Sequence, residues 1–123
     1  TIYRQAIKKK DNSDSIYAGL GESLRCRNQI PEAMVNLEKA IKINPNNAIA
    51  HYQLGLCLMT KAKHQEAFNQ FDAAMKSNVL IPDAFKVQIL TYQGQAVEAM
   101  GQDSTAHEYY QKAKNLLEGI PLE

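Results

Sequence analysis

The side chains best suited to metal or nucleophile chemistry are three histidines and two cysteines, scattered over 123 residues. They are His51, His64, His107, Cys26 and Cys57. The histidines are isolated from one another and the cysteines do not form a close pair, so the sequence predicts neither a zinc site nor a disulfide framework. Two unpaired cysteines favour a reducing, cytoplasmic setting.

No residue pattern typical of catalysis accompanies these side chains. The sequence offers no serine–histidine–aspartate set, no paired carboxylates and no phosphate-binding glycine loop. Gly19 and Gly21 lie close together, but they fall within a predicted helix, with no preceding strand and no third glycine at the right place. We therefore expect a non-enzymatic protein without cofactor or metal, whose function depends on its surface.

Charge and hydropathy narrow the class of partner. The formal net charge is +1, with 22% charged residues, so no broad field attracts nucleic acid. No run of about 18 apolar residues occurs, so we expect no membrane insertion. A protein or peptide remains as the expected partner.

One pattern of apolar and small residues occurs twice at a spacing of 34 residues. Its first copy is Tyr17, Leu20, Gly21, Leu24, Ala33, Leu37 and Ala40, and its second is His51, Leu54, Gly55, Leu58, Ala67, Phe71 and Ala74. A third copy follows at a spacing of 39, as Gly94, Ala106, Tyr110 and Ala113. Such self-similarity is typical of stacked helical hairpins.

Apolar residues at helical spacing locate the elements of these hairpins. The first helices are predicted at about 14–27, 48–61 and 82–100, and the second helices at 31–43, 65–77 and 105–117. The five extra residues fall near 78–83 and lengthen the last of the first helices by about a turn. Run backward, the period makes residues 1–10 the second helix of an earlier repeat, so we expect a fragment of a longer array.

Particular positions within the repeat carry structural expectations. Gly21 and Gly55 are predicted where a second helix crosses closely. Leu20 is predicted in the core, and His51 at the core edge with a satisfied ring nitrogen. Gly101 is predicted to end a helix.

The pattern resembles the tetratricopeptide repeat, whose signature is a large residue, then Leu-Gly, an aromatic, Ala, an aromatic, Ala and Pro. The resemblance implies an all-α right-handed superhelix of helical hairpins with about seven helices. Residues 1–12 would be the second helix of a truncated preceding repeat. Residues 13–46, 47–80 and 81–119 would be repeats, the last with a lengthened first helix, and 120–123 a tail. His51, Gln93 and Val79 depart from the signature.

The first helices of this family line a concave groove, so the resemblance implies a scaffold that binds a peptide or helical segment there. The residues predicted to face the groove are Glu22, Arg25, Ile49, Tyr52, Gln53, Leu56, Met59, Thr91, Tyr92 and Gln95. Tyr52, Leu56 and Met59 are unnecessary on a solvated face, which favours an apolar partner site. The alternative is that an insert or terminus covers this face.

Co-chaperones of this family hold the C-terminal carboxylates of heat-shock chaperones with Lys, Asn and Arg side chains on successive first helices. The matching positions here are Ala18, Glu22, Gln53, Gln88 and Tyr92, none of which is cationic. We therefore predict that the acidic C-terminal peptide of heat-shock chaperones does not bind.

Other interpretations stay open at the level of sequence. The array could be the regulatory or substrate-docking arm of an enzyme whose catalytic domain lies outside this chain, or it could self-associate through its ends. The apolar Val79–Ile81 segment either folds back to cap the core or offers a second contact site.

Overall fold

The computed structural model describes residues 13–77 and 79–120, which form six α-helices and no strand. The helices are α1 Ser13–Cys26, α2 Ile30–Ile43, α3 Ala48–Thr60, α4 His64–Met75, α5 Asp83–Ala99 and α6 Asp103–Leu117. They pack as hairpins α1–α2, α3–α4 and α5–α6, and each hairpin stacks on the next. The predicted all-α hairpin fold is confirmed, whereas the helix expected within residues 1–12 lies outside the described residues.

Each hairpin closes where a glycine of its first helix lies against a large side chain of its second helix. A Cβ atom built on any of these glycines would come within 2.5 Å of that side chain. The three pairs are Gly21–Leu37, Gly55–Phe71 and Gly94–Tyr110. The predicted close crossings are therefore confirmed, and the glycines are required by packing.

The core follows the repeat, with one exception at its first position. Leu37, Phe71 and Ile89 are fully buried between the helices. Leu54 is 5% exposed beside Met34 of the preceding hairpin, but its counterpart Leu20 is 47% exposed. α2 of the preceding hairpin covers one side of α3, and no described helix covers the corresponding side of α1. The expectation that Leu20 is buried is therefore not met.

The turns within the hairpins share one backbone conformation. Asn28, Ala62 and Gly101 have φ of 64°, 60° and 82°, and each lies two residues after the last residue of a first helix. The next amide bonds back to a carbonyl five residues earlier, as from Gln102 N to Val97 O at 2.9 Å. This is the hydrogen-bonding pattern of a helix that ends in a left-handed residue. The predicted role of Gly101 is confirmed.

The five extra residues lengthen both the loop between α4 and α5 and the N-terminal end of α5. α5 has 17 residues, against 14 in α1 and 13 in α3, so the predicted extra turn is present. In the loop before it, Ile81 is 6% exposed, Val79 47% and Leu80 96%. Ile81 therefore folds back and caps the core, as one of the two alternatives expected, while Leu80 is exposed to solvent.

Two buried polar side chains occupy positions that are apolar elsewhere in the repeat. His51 is buried, and both ring nitrogens have partners, Gln70 Oε1 at 2.7 Å and the Pro45 carbonyl at 2.8 Å. The expectation of a satisfied core-edge histidine is confirmed. Gln93 takes the place of Leu54 and is equally buried, but its Nε2 has no hydrogen-bond partner in the structure.

Candidate functional site

The first helices of the hairpins lie side by side and form one face of the array. α1 packs on α3, and α3 meets α5 through ring contacts of Tyr52 with Phe85 and Tyr92. The ten residues predicted for this face differ widely in exposure. Tyr52 and Gln53 are buried; Arg25, Leu56, Met59, Thr91 and Tyr92 are half-buried; Glu22, Ile49 and Gln95 are exposed.

Tyr52 belongs to an aromatic cluster at the junction of the second and third hairpins. Its ring lies 5.0 Å from that of Phe85, edge to face, and 6.0 Å from those of Phe71 and Tyr92. Burial, followed by the nearby Tyr92, raises the pKa of Tyr52 to about 12. The ring was expected to be an open anchor for a partner, but the extra turn of α5 brings Phe85 over it.

Arg25 is the fixed cation of this face. Its Nε donates to Gln53 Oε1 at 2.6 Å, which links the first two hairpins and accounts for the burial of Gln53. Within the described ranges the sole ion pair is Lys76–Asp72, so Arg25 has no carboxylate within 4.0 Å there. Its guanidinium is thus oriented without being neutralised.

The exposed part of α3 is an apolar stripe. Ile49, Leu56 and Met59 lie at i, i+7 and i+10, which places them along one side of the helix. Ile49 is 51% exposed, and the other two are half-buried. We call these three residues the α3 stripe.

A cavity of about 280 Å³ opens at the N-terminal ends of the first helices, beside the extra loop. We call it the insert cavity. Its apolar wall includes Ile49, Leu80 and Phe85, and its polar wall includes Asp14, Asn44 and Asn47. The sequence does not predict this cavity, although the apolar Val79–Ile81 segment indicates that the loop between α4 and α5 differs from the other turns.

Asp14 is the buried centre of the polar wall. The side chain is 6% exposed, and its Oδ2 accepts hydrogen bonds from Asn44 Nδ2 at 3.0 Å and Asn47 Nδ2 at 2.9 Å. Both amide orientations are set independently, since Asn44 Oδ1 accepts from the Asn46 amide and Asn47 Oδ1 from the Ala50 amide. The bond from Ala50 also makes Asn47 the N-cap of α3.

Comparisons with known proteins agree with this architecture. Residues 21–61 match a family model described as a TPR repeat, the tetratricopeptide repeat. The crystal structure of MamA superposes with a TM-score of 0.78 at 24% identity, over 88% of this chain and 60% of that chain. YrrB, described as a TPR protein with an unusual peptide-binding site, superposes with a TM-score of 0.77 at 21% identity. That match covers 96% of this chain and 58% of YrrB.

The described chain has the fold of a tetratricopeptide repeat array, and residues 21–61 match the repeat itself. It spans less than two thirds of the length of MamA or YrrB. No curated protein sequence matches it significantly.

The side chains suited to metal or nucleophile chemistry lie apart from one another in this array of hairpins. Cys26 is exposed, whereas Cys57 is buried, and burial raises the pKa of the Cys57 thiol. Within residues 13–77 and 79–120, no three His, Cys, Asp or Glu side chains are grouped to hold a metal ion. None of the described helices has the length and apolar character needed to cross a membrane.

Proposed function

We propose that this tetratricopeptide array holds a peptide or short helix of a partner protein against its first helices, as a non-catalytic part of a larger scaffold in the cytoplasm. The observation that carries the proposal is the α3 stripe, a row of partly open apolar side chains on a helix whose other residues, apart from Thr60, are buried. Rows of this kind are typical of surfaces that receive apolar anchors from a partner. Met59 adds an adaptable side chain to such a surface.

Arg25 supports the same proposal from the neighbouring helix. Because Gln53 already holds its guanidinium, binding would cost little further side-chain entropy. A carboxylate or carbonyl oxygen of the partner would accept the guanidinium N–H groups that Gln53 and Cys26 Sγ do not use. The peptide-binding site for which YrrB is described supports peptide binding as the class of function on this fold.

The acidic C-terminal peptide of heat-shock chaperones is not the partner we propose. Of the positions that match the chaperone-binding residues, Glu22 would repel a carboxylate and Gln53 is occupied by Arg25. A single cation on α1 differs from the several that such a clamp requires.

The proposal is tested by selecting a displayed library of random 12-residue peptides on this protein. The selected peptides are then titrated against a variant with Leu56→Ser and Met59→Ser, which alters the α3 stripe without touching a fully buried side chain. We expect at least a tenfold loss of affinity, because both apolar contacts are removed. Leu117→Ser is the matched control, since Leu117 is 73% exposed on α6, far along the chain from the stripe.

Circular dichroism of both variants establishes that they are folded. Equal affinity of the selected peptides for the stripe variant and the wild type would refute the proposed surface. A loss of affinity in Leu117→Ser that matches the loss in the stripe variant would refute it as well. Tyr52→Ala is unsuitable for this purpose, because truncation of a buried ring destabilises the fold.

A further inference from the structure

We infer that the insert cavity binds an aliphatic side chain of the partner together with an adjacent lysine or arginine. The inference rests on the proposed function, because Ile49 belongs both to the α3 stripe and to the cavity wall. It adds a chemical requirement, a cation beside an apolar residue, at one end of the bound segment.

The loop between α4 and α5 indicates that the ligand of the insert cavity includes an aliphatic side chain. Leu80 is 96% exposed and stands beside the cavity with Ile49 and Val79, which are about half exposed. A fully solvated leucine contributes nothing to folding, whereas an aliphatic group placed between Leu80 and Ile49 would remove apolar surface from water on both sides. The volume of about 280 Å³ is sufficient for one such side chain and part of its neighbour.

The cationic half follows from Asp14. Among the described residues that line the cavity, Asp14 is the sole charged one. Its carboxylate is buried, and its two described donors are neutral amides, which stabilise the charge without cancelling it. A lysine or arginine of the partner would supply the opposite charge through a charge-assisted hydrogen bond.

The charges around the cavity favour a local cation over an anion. The N-termini of α1, α3 and α5 carry partial positive charge, but Asp14 and Asp83 lie in the first turns of α1 and α5. At the N-terminus of α3, the side chain of Asn47 already accepts a hydrogen bond from the Ala50 amide. Since the net charge of the chain is +1, any preference for a cationic peptide must come from the cavity rather than from the whole molecule.

The charges on α1 also imply an orientation for the bound segment. Asp14 lies in its first turn and Arg25 in its last turn, on opposite ends of a helix of 14 residues. That separation is roughly 16 Å at 1.5 Å per residue. A segment along this face would place its basic residue at the insert cavity and its acidic residue or chain end toward Arg25.

The probes are three pentapeptides with blocked ends, each with a central leucine flanked on both sides by lysine, by glutamine or by glutamate. Their affinities for the full chain are measured by fluorescence anisotropy. We expect the lysine peptide to bind at least fivefold more tightly than the glutamine peptide, and the glutamate peptide to bind weakest. Asp14→Asn is expected to reduce the preference for lysine to within twofold, because it removes the charge and keeps the shape.

Leu80→Ser separates the apolar contribution from the charge. Leu80 is almost fully exposed, so this variant folds. We expect its affinities for the three peptides to fall by similar factors. Leu117→Ser is again the control and should change none of the affinities. Amide chemical shifts of the wild type provide a readout that does not depend on Asp14→Asn folding, and the shifts should cluster at Asn44, Ile49 and Leu80.

Three outcomes would overturn the inference: equal binding of the three peptides to the wild type, a lysine preference that persists in folded Asp14→Asn, or chemical shifts remote from the cavity. If selected peptides depend on Leu56 and Met59 but not on Leu80, the inference fails and the proposed function stands. If the reverse holds, the cavity binds its ligand independently and the proposed groove fails.

Discussion

Gly19 and Gly21 are two residues apart in α1 and have opposite surroundings. A Cβ atom on Gly19 would meet nothing within 4 Å, whereas one on Gly21 would lie 2.5 Å from Leu37 Cγ and 3.2 Å from the Ala33 carbonyl. Leu37 is fully buried and has little freedom to move. The same substitution at these two sites therefore has effects of opposite sign.

We predict that Gly19→Ala raises the free energy of unfolding by about 1 kcal/mol, through better helix propensity. Gly21→Ala should lower it by about 1–3 kcal/mol, because the added methyl group overpacks the crossing. Urea denaturation followed by circular dichroism measures both. A stabilised Gly21→Ala variant would mean that α1 and α2 can separate without cost.

Tyr52 makes stability depend on alkaline pH. An unfolded tyrosine ionises near pH 10, whereas folded Tyr52 keeps its proton up to a pKa of about 12. Its stabilising contribution is therefore complete below pH 10 and is lost as the pH rises toward 12. We expect Tyr52→Phe to remove up to about 1 kcal/mol of this loss at pH 11, because the partly solvated ring is screened.

Urea unfolding of the wild type and Tyr52→Phe at pH 9, 10 and 11 tests this expectation. Burial and a hydrogen bond to Glu98 raise the pKa of Tyr110 to about 12. Tyr110 therefore acts in the same direction as Tyr52, and it remains in the variant. The decline in the free energy of unfolding with rising pH should therefore be shallower in Tyr52→Phe than in the wild type, but it should not vanish. Parallel declines in the two proteins would contradict the role of Tyr52.

At the level of elements, the turns that join each first helix to its second reuse one left-handed residue. Asn28 and Gly101 suit that conformation, because glycine has no Cβ and asparagine tolerates it. Ala62, at φ 60°, does not, and a side chain there costs about 1–2 kcal/mol. The α3–α4 turn is thus the strained member of the set.

We predict that Ala62→Gly raises the free energy of unfolding by about 1 kcal/mol. Asn28→Gly serves as the control and should change it by only a few tenths of a kcal/mol. Thermal and urea denaturation give the measurement. A destabilising Ala62→Gly would show that the entropy of the unfolded chain outweighs the relief of strain at this turn.

α3 is the element for which the sequence pattern is least informative. Its residues are apolar or small on most sides, so the helical period does not separate a core face from a groove face. The sequence therefore assigned Tyr52 to the open face, although the lengthened α5 buries it. A helix that is apolar all round is itself a signal of burial on several sides, and this is the signal that applied here.

For the molecule as a whole, the repeat spacing predicts the stack because each crossing needs one small and one large residue at fixed positions. That requirement identifies Gly21 and Gly55 as crossing points from the sequence, and the structure gives Leu37 and Phe71 as the side chains they contact. The insert cavity follows no period, since three hairpins contribute to its wall. Asp14 reads as an ordinary helix-start residue in the sequence, and only the approach of Asn44 and Asn47 buries it.

Phe85 lies in the insert cavity and also contacts Tyr52, so one ring belongs to both the proposed site and the core junction. The chain has no tryptophan and six tyrosines, and its ultraviolet emission is therefore that of tyrosine alone. An indole placed at Phe85 would be the single red-shifted fluorophore of the molecule. Its emission would respond both to occupancy of the cavity and to separation of the second and third hairpins.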